Sequence, residues 1–368
     1  MHNESSAERP DADRAVFVCG RASAEKFSPI FMRTIAIRSA DVIYYNCIMP
    51  YKICAVYFGG VWTTMTNHNE WKERLEELLP RYELRFEEPL AKHTSFRIGG
   101  PAEVMIFPQN KAELSAVLKL FREMEIKPRI LGAGTNILAP DEGLRGPVIC
   151  LRDSFMGLEL LDDTHISAMA GMTLARTAMF AARNGLSGLE FAHGIPGTVG
   201  GGIYMNAGAY GGELSCRATR TEFMDLDGSC RVFEGEAQGF GYRTSVFQGL
   251  EGVIVRTEFA LEKSDEAAVR GRIQELADRR RASQPLELPS AGSFFKRPKT
   301  GYAAALIEQA GLKGLSVGGA AVSEKHAGFI VNKGGATAGD VLALSEEVRK
   351  RVRERDGVEL EPEVRLWR

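Results

Sequence analysis

Two spacings of apolar residues alternate along most of the chain. Almost continuous apolar runs at residues 102–107 (AEVMIF), 148–151 (VICL) and 165–170 (HISAMA) predict short strands, joined by 128–131 and the partly alternating 253–261. Between them apolar residues recur every three or four positions. That period predicts helices over 111–123, after the Pro108-Gln109-Asn110 turn, and over 174–183, ended by Asn184-Gly185. Another is expected over 264–281, with Ser264 as N-cap and Val269, Ile273 and Leu276 on one face. A short helix over 301–310 stops at Gly311. The clearest helix occupies 339–355. Thr337 or the turn after it starts it, and Val341, Leu344, Val348 and Val352 form its apolar stripe. Lys350, Arg351 and Arg353 crowd its end before Gly357. The mixture predicts an α+β fold with many short strands.

Residues 1–64 break this pattern. They show no sustained apolar period and hold three of the six cysteines but only three of the 39 glycines. Their polar start is not a signal peptide. Met65 opens an amphipathic helix pattern, MTNHNEWKERLEELLP, and Gly59-Gly60-Val61 can be encoded by a purine-rich run just upstream of its codon. Residues 1–64 are therefore expected to be a translated leader or a disordered extension, with Met65 as the native start. An intact residue-1 terminus in the mass spectrum of the natively expressed protein would overturn the leader.

Composition narrows the function. With 46 Lys+Arg against 48 Asp+Glu the chain carries a formal charge of -2, which argues against a protein built to coat nucleic acid. No run of about 18 uncharged apolar residues is present, so no membrane-inserted helix is expected. The cysteines form no CxxC and no zinc-ligand spacing with histidine, so no metal site is expected and the thiols read as reduced.

Glycine is the unusual entry in the composition, at about 1.5 times ordinary usage, and it clusters. One segment, Leu131-Gly132-Ala133-Gly134-Thr135-Asn136, follows a predicted strand. The other runs from Gly194-Ile195-Pro196-Gly197-Thr198-Val199-Gly200-Gly201-Gly202 to Asn206-Ala207-Gly208-Ala209-Tyr210-Gly211. Backbone N–H groups without Cβ atoms suit close approach to a diphosphate, and Thr135, Asn136 and Thr198 add neutral donors. Tight turns at strand ends are the plainer reading of either loop alone. Ile137 stands where G-x-G-x-x-G needs its third glycine, and no P-loop occurs, so the nucleotide fold is of another kind.

The segments HTSFRIGGPAEV (93–104), LGAGTNIL (131–138), GIPGTVGGGIYMNAGAYGGE (194–213), GYRTSVF (241–247), PSAGSFFKRP (289–298), GLKG (311–314), GGAAVSEKHAGFIVN (318–332) and LEPEVRLW (360–367) occur in that order. Together they resemble the UDP-N-acetylenolpyruvoylglucosamine reductase family over about residues 70–368. The resemblance implies a two-subdomain FAD-binding module of the vanillyl-alcohol-oxidase type plus a C-terminal α+β substrate-binding domain. The expected division is 65–152, 153–262 and 263–368. It implies noncovalent FAD, since LGAGTNIL lacks the histidine or cysteine that usually attaches flavin in covalent relatives. Gly132, Ala133, Gly134, Thr135, Asn136, Ile195, Pro196, Gly197, Thr198, Gly200, Gly201, Asn206, Ala207 and Gly208 are the expected cofactor contacts.

The implied reaction is cytoplasmic, in peptidoglycan precursor synthesis, with NADPH as co-substrate. NADPH reduces FAD, and the flavin N5 hydride then attacks C3 of the enolpyruvyl sugar nucleotide, giving UDP-N-acetylmuramate. By resemblance, Arg243 in GYRTS faces the substrate carboxylate, Ser293 in SAGSFFK protonates C2, and Glu363 in LEPEV orients the site. Glu361 is two residues away on the same side of an extended strand, so spacing alone does not separate the two glutamates; the family motif favours Glu363. Tyr242, Lys296, Arg297 and His326 are expected near the substrate. The short interval from Arg243 to Ser293 resembles the type without an additional tyrosine-bearing loop, which implies a more open cleft. An FAD-dependent oxidase of the same fold and a noncatalytic sugar-nucleotide-binding protein are the competing readings.

Overall fold

The computed structural model describes residues 36–39, 42–46, 53–58, 61–66, 70–78 and 80–368. Met1–Glu77 and Leu78–Arg368 form two compact units.

In the first unit, strands Ala36–Ser39, Val42–Asn46, Ile53–Phe58 and Val61–Thr66 form an antiparallel meander in chain order. The apolar period missed these strands. Their local composition accounts for them: VIYYN, ICAVYF and VWTTMT are rich in β-branched and aromatic residues. Met65 does not open a helix; it pairs with Cys54 in the last strand. Helix α1 follows at Glu70–Leu78 and buries Trp71 and Leu75. The remaining positions of the expected leader lie outside the described residues.

The second unit contains three larger sheets. In the first, the order is Glu83–Pro89, Pro101–Phe107, Leu144–Cys150 and Arg129–Leu131, with one antiparallel and two parallel pairings. Pro101–Phe107 lies between two neighbours, which explains why AEVMIF is apolar on nearly every residue. Helix α2, Lys111–Glu123, makes the crossover and buries Leu114, Val117, Leu118 and Phe121.

The second sheet is antiparallel: Leu158–Leu160, His165–Met169, Gly252–Ala260, Ala218–Asp225 and Cys230–Glu234. Helix α3 spans Leu174–Arg183, capped by Thr173, and two short helices follow, α4 at Glu190–His193 and α5 at Val199–Tyr204. The glycine density read as loop, yet α5 is helical through Gly200, Gly201 and Gly202. An interior glycine costs about 1 kcal/mol against alanine. Contact explains its retention. A Cβ on Gly200 would sit 2.9 Å from Ala170 Cβ, and one on Gly202 would sit 2.8 Å from Leu214 Cδ1.

Helix α6, Glu266–Ser283, packs on α3 and α4. Its cap is Asp265, which accepts from the Ala268 N–H at 3.0 Å, and not Ser264. Ser264 is still held by the preceding strand pair, its N–H donating to the Gly185 carbonyl at 2.7 Å.

The third sheet is Ser290–Ser293, Phe329–Asn332, Ala320–Val322 and Ser316–Val317, all antiparallel. Helix α7, Ala303–Gln309, and helix α8, Ala338–Asp356, share its core with Val341, Leu344, Val348, Val352, Phe294 and Ile330. Thr337 and Asp340 form a reciprocal capping box on α8, and Gly357 ends it at a φ of 68°. Asp141, from a distant loop, also accepts from the N–H groups of Ala338 (2.7 Å) and Gly339 (3.0 Å). Asp141→Ala is expected to lower unfolding free energy by about 1–2 kcal/mol, and Asp141→Asn by less, as read by urea denaturation.

Candidate active site

The loops after these sheets enclose a cavity of about 840 Å³ in the second unit, within the range of cofactor pockets. Loop 132–136 and the stretch 195–201, which runs into α5, form adjacent parts of its wall. They are stitched together by Thr135 Oγ1, which donates to the Pro196 carbonyl at 2.8 Å.

The glycines divide into two classes. A Cβ on Gly132 would meet Thr198 Oγ1 at 2.5 Å, and one on Gly134, at a φ of +61°, would meet the His93 carbonyl oxygen at 2.0 Å. These two let one protein segment approach another. Gly197 and Gly201 have nothing closer than 3.5 Å at the same position, so their bare backbone faces space that a ligand can occupy. Ala133, Asn136, Ile195, Pro196, Thr198, Gly200, Ala207 and Gly208 also line the cavity. Asn206 does not. It is buried, at a φ of 43°, and its amide is taken up by Glu213, the Gly241 carbonyl and the Ser215 N–H. The expected cofactor contact is a brace beneath the loop.

Arg243, Ser293 and Glu363 all line this cavity. Backbone pairing brings the latter two segments together: the Glu363 N–H donates to the Phe294 carbonyl at 2.8 Å and the Lys296 N–H to Glu361 at 2.8 Å, around a Phe295–Pro362 bridge. Arg243 Nε donates to Glu363 Oε1 at 2.7 Å, and its Nη2 reaches the Gly208 carbonyl at 3.4 Å. Arg243 adopts a left-handed φ of 54°, unusual for a residue with a side chain. Gln248 holds it there, donating to both the Arg243 and Tyr204 carbonyls at 2.9 Å.

Burial pushes the Glu363 pKa up, while the Arg243 guanidinium opposes the shift. The structure separates the two glutamates that strand spacing left together. The Glu363 side chain is 14% exposed and paired with Arg243; that of Glu361 is 72% exposed and pairs with Lys296 at 3.2 Å. Ser293 is exposed to solvent at the end of its strand, preceded by Gly292 at a φ of +79°.

Tyr242, Lys296, Arg297 and His326 do not line the cavity. The Arg297 N–H donates to the Tyr242 hydroxyl at 3.2 Å, and its guanidinium lies over the Tyr302 ring at 4.2 Å. Tyr242, Lys296 and Arg297 thus form an exposed cluster beside Arg243 and Glu361. His326 is a local structural group. Its Nδ1 accepts from the Gly328 N–H at 3.2 Å, it packs edge-on against Phe329, and burial lowers its pKa. Arg280, Gln284, Arg365 and Trp367 line the cavity and were not singled out from the sequence.

Comparisons with known proteins bear on both halves of this arrangement. A family model described as FAD binding domain matches residues 102–234, and one described as UDP-N-acetylenolpyruvoylglucosamine reductase, C-terminal domain, matches 284–367. A protein of that name from Caldanaerobacter subterraneus subsp. tengcongensis is 44% identical over 294 residues, covering 80% of this chain and 97% of its own. UDP-N-acetylenolpyruvoylglucosamine reductase 2 from Symbiobacterium thermophilum is 47% identical over 285 residues, covering 77% and 92%. The crystal structure of the reductase from Thermus caldophilus superimposes with a TM-score of 0.66 at 38% identity, over 78% of this chain and 99% of that one.

Proposed function

Because the chain belongs to the UDP-N-acetylenolpyruvoylglucosamine reductase family of FAD-dependent oxidoreductases, we propose that it reduces the enolpyruvyl group of the UDP-sugar to the lactyl ether, with NADPH as reductant. The observation that carries the reading is the Arg243–Glu363 pair on the same cavity wall as Ser293, beside open glycine backbone. Those open glycines, the loop N–H groups and the cavity volume fit FAD.

When bound, FAD supplies a hydride, taken from NADPH, to C3 of the enolpyruvyl group. Negative charge then builds at C2 and spreads into the substrate carboxylate. Arg243 faces that carboxylate with Nη1 and the remaining Nη2 hydrogen, its Nε being fixed on Glu363. A guanidinium placed in advance stabilises this charge without reorganising. Ser293 Oγ then delivers the proton to C2; a hydroxyl is a weak acid, but the carbon it serves is strongly basic. Glu363 keeps the arginine fork aimed, and its own burial strengthens the pairing by excluding water.

The nucleotide half of the substrate extends past the cavity toward Tyr242, Lys296 and Arg297. No helix among the described residues is long and apolar enough to cross a membrane, and we place the reaction in the cytoplasm, where sugar nucleotide and NADPH are available. An anaerobic titration tests the reading. NADPH should bleach the flavin absorbance, and the enolpyruvyl sugar nucleotide should restore it. Bleaching without recovery on adding the sugar nucleotide would overturn it.

A further inference from the structure

The end of α6 puts two polar side chains on the cavity wall that the catalytic reading leaves unused. They are Arg280 and, just past the last turn, Gln284. Arg280 Nε and Gln284 Oε1 are both buried without a hydrogen-bond partner. Among the described residues no carboxylate pairs with Arg280, and burial pulls its pKa below the usual arginine value. A desolvated, uncompensated cation and an unmet acceptor each cost free energy, so a native fold that keeps both side by side points to a ligand that satisfies them.

The two residues share the cavity wall with Arg243, Ser293 and Glu363. Arg280 Cδ lies 3.3 Å from where a Gly194 Cβ would be, at the head of the second glycine loop. Tyr210, on the same cavity wall, comes two residues after Gly208, whose carbonyl accepts from Arg243. Five residues link Gln284 to the strand Ser290–Ser293, and Gln284 and Ser293 both line the cavity.

Two parts of FAD offer negative charge, and the pair distinguishes them. A diphosphate presents only acceptors; it would satisfy Arg280 and, with the amide turned, the Gln284 NH2, but it would leave the Gln284 oxygen unmet. The pyrimidine edge of the flavin presents N1 and C2=O acceptors next to an N3–H donor. We propose that Arg280 and Gln284 hold this edge, the guanidinium on N1 and C2=O and the amide oxygen on N3–H, and that Arg280 thereby favours the reduced ring, whose charge gathers at N1.

The test is made on the FAD-loaded enzyme without sugar nucleotide, so its outcome is independent of the roles given to Arg243, Ser293 and Glu363. Arg280→Met should retain FAD, but its two-electron reduction equilibrium should weaken by about tenfold, a fall in midpoint potential of about 30 mV. Sulfite, which adds at N5 and leaves negative charge at the same edge, should bind about tenfold more weakly. Arg280→Lys keeps the charge and should hold sulfite affinity within about threefold of native. Should the methionine variant fail to fold, judged by circular dichroism, the neutral Arg280→Gln is read in the same way. A native potential and native sulfite affinity would overturn the proposal. So would loss of FAD affinity with the potential unchanged, the signature of a diphosphate contact.

Discussion

Replacing Ser293 with alanine leaves the reduction of bound FAD by NADPH within about threefold of native and slows reoxidation by the enolpyruvyl substrate by roughly 10²–10⁴. The asymmetry follows from what each half-reaction asks of the side chain. Hydride transfer into the flavin needs no proton at the Ser293 position. The second half-reaction creates a basic carbon that must be protonated there. Ser293 is exposed at the end of its strand, so its hydroxyl can be removed with little effect on the fold. Stopped-flow absorbance separates the two phases. Equal slowing of both would remove Ser293 from the role of acid.

Phe294→Ala should cost about 3–5 kcal/mol of unfolding free energy. Phe294 is 1% exposed and stacks edge-on against Phe295 at 5.1 Å in the core shared with α7 and α8. A loss of that size is a large part of the ~5–15 kcal/mol typical of a domain. Its functional consequence is separate. The Phe294 carbonyl, in the residue after Ser293, accepts from the Glu363 N–H, so a collapse of this core displaces two site residues together. Urea denaturation gives the stability change. Activity measured well below the unfolding midpoint should still fall, mainly in the second half-reaction, whereas full native activity there would show that the bracket is held by other contacts.

Much of the fold was legible because the two apolar periods are strong where burial is strong. Pro101–Phe107, α2, α3 and α8 each lie within a residue or two of expectation, and α8 carries its own punctuation in Thr337, Asp340 and Gly357. The failures have local causes. Gly200 and Gly202 of α5 violate helix propensity because Ala170 and Leu214 press against them, a tertiary fact no local pattern carries. Asn206 shares a motif with cavity-lining neighbours, yet its side chain turns inward to Glu213 and Gly241. Period-two spacing placed Glu361 and Glu363 on one side of a strand, but the arginine that distinguishes them is 120 residues from Glu363 along the chain. Arg280 sits in the last turn of a charged helix, where a cation is ordinary; only the cavity shows that it lacks a counter-charge among the described residues.

Residues 363–367 close one side of the cofactor wall. Arg365–Leu366 pair in parallel with Ile137–Leu138, the Trp367 N–H donates to the Leu138 carbonyl at 3.0 Å, and Glu363, Arg365, Leu366 and Trp367 all line the cavity. A ribosome therefore delivers both glycine loops long before it delivers the strand that seals them. Until residues 365–367 are made, the strand at Ile137–Leu138 has no parallel partner and that side of the cavity stands open.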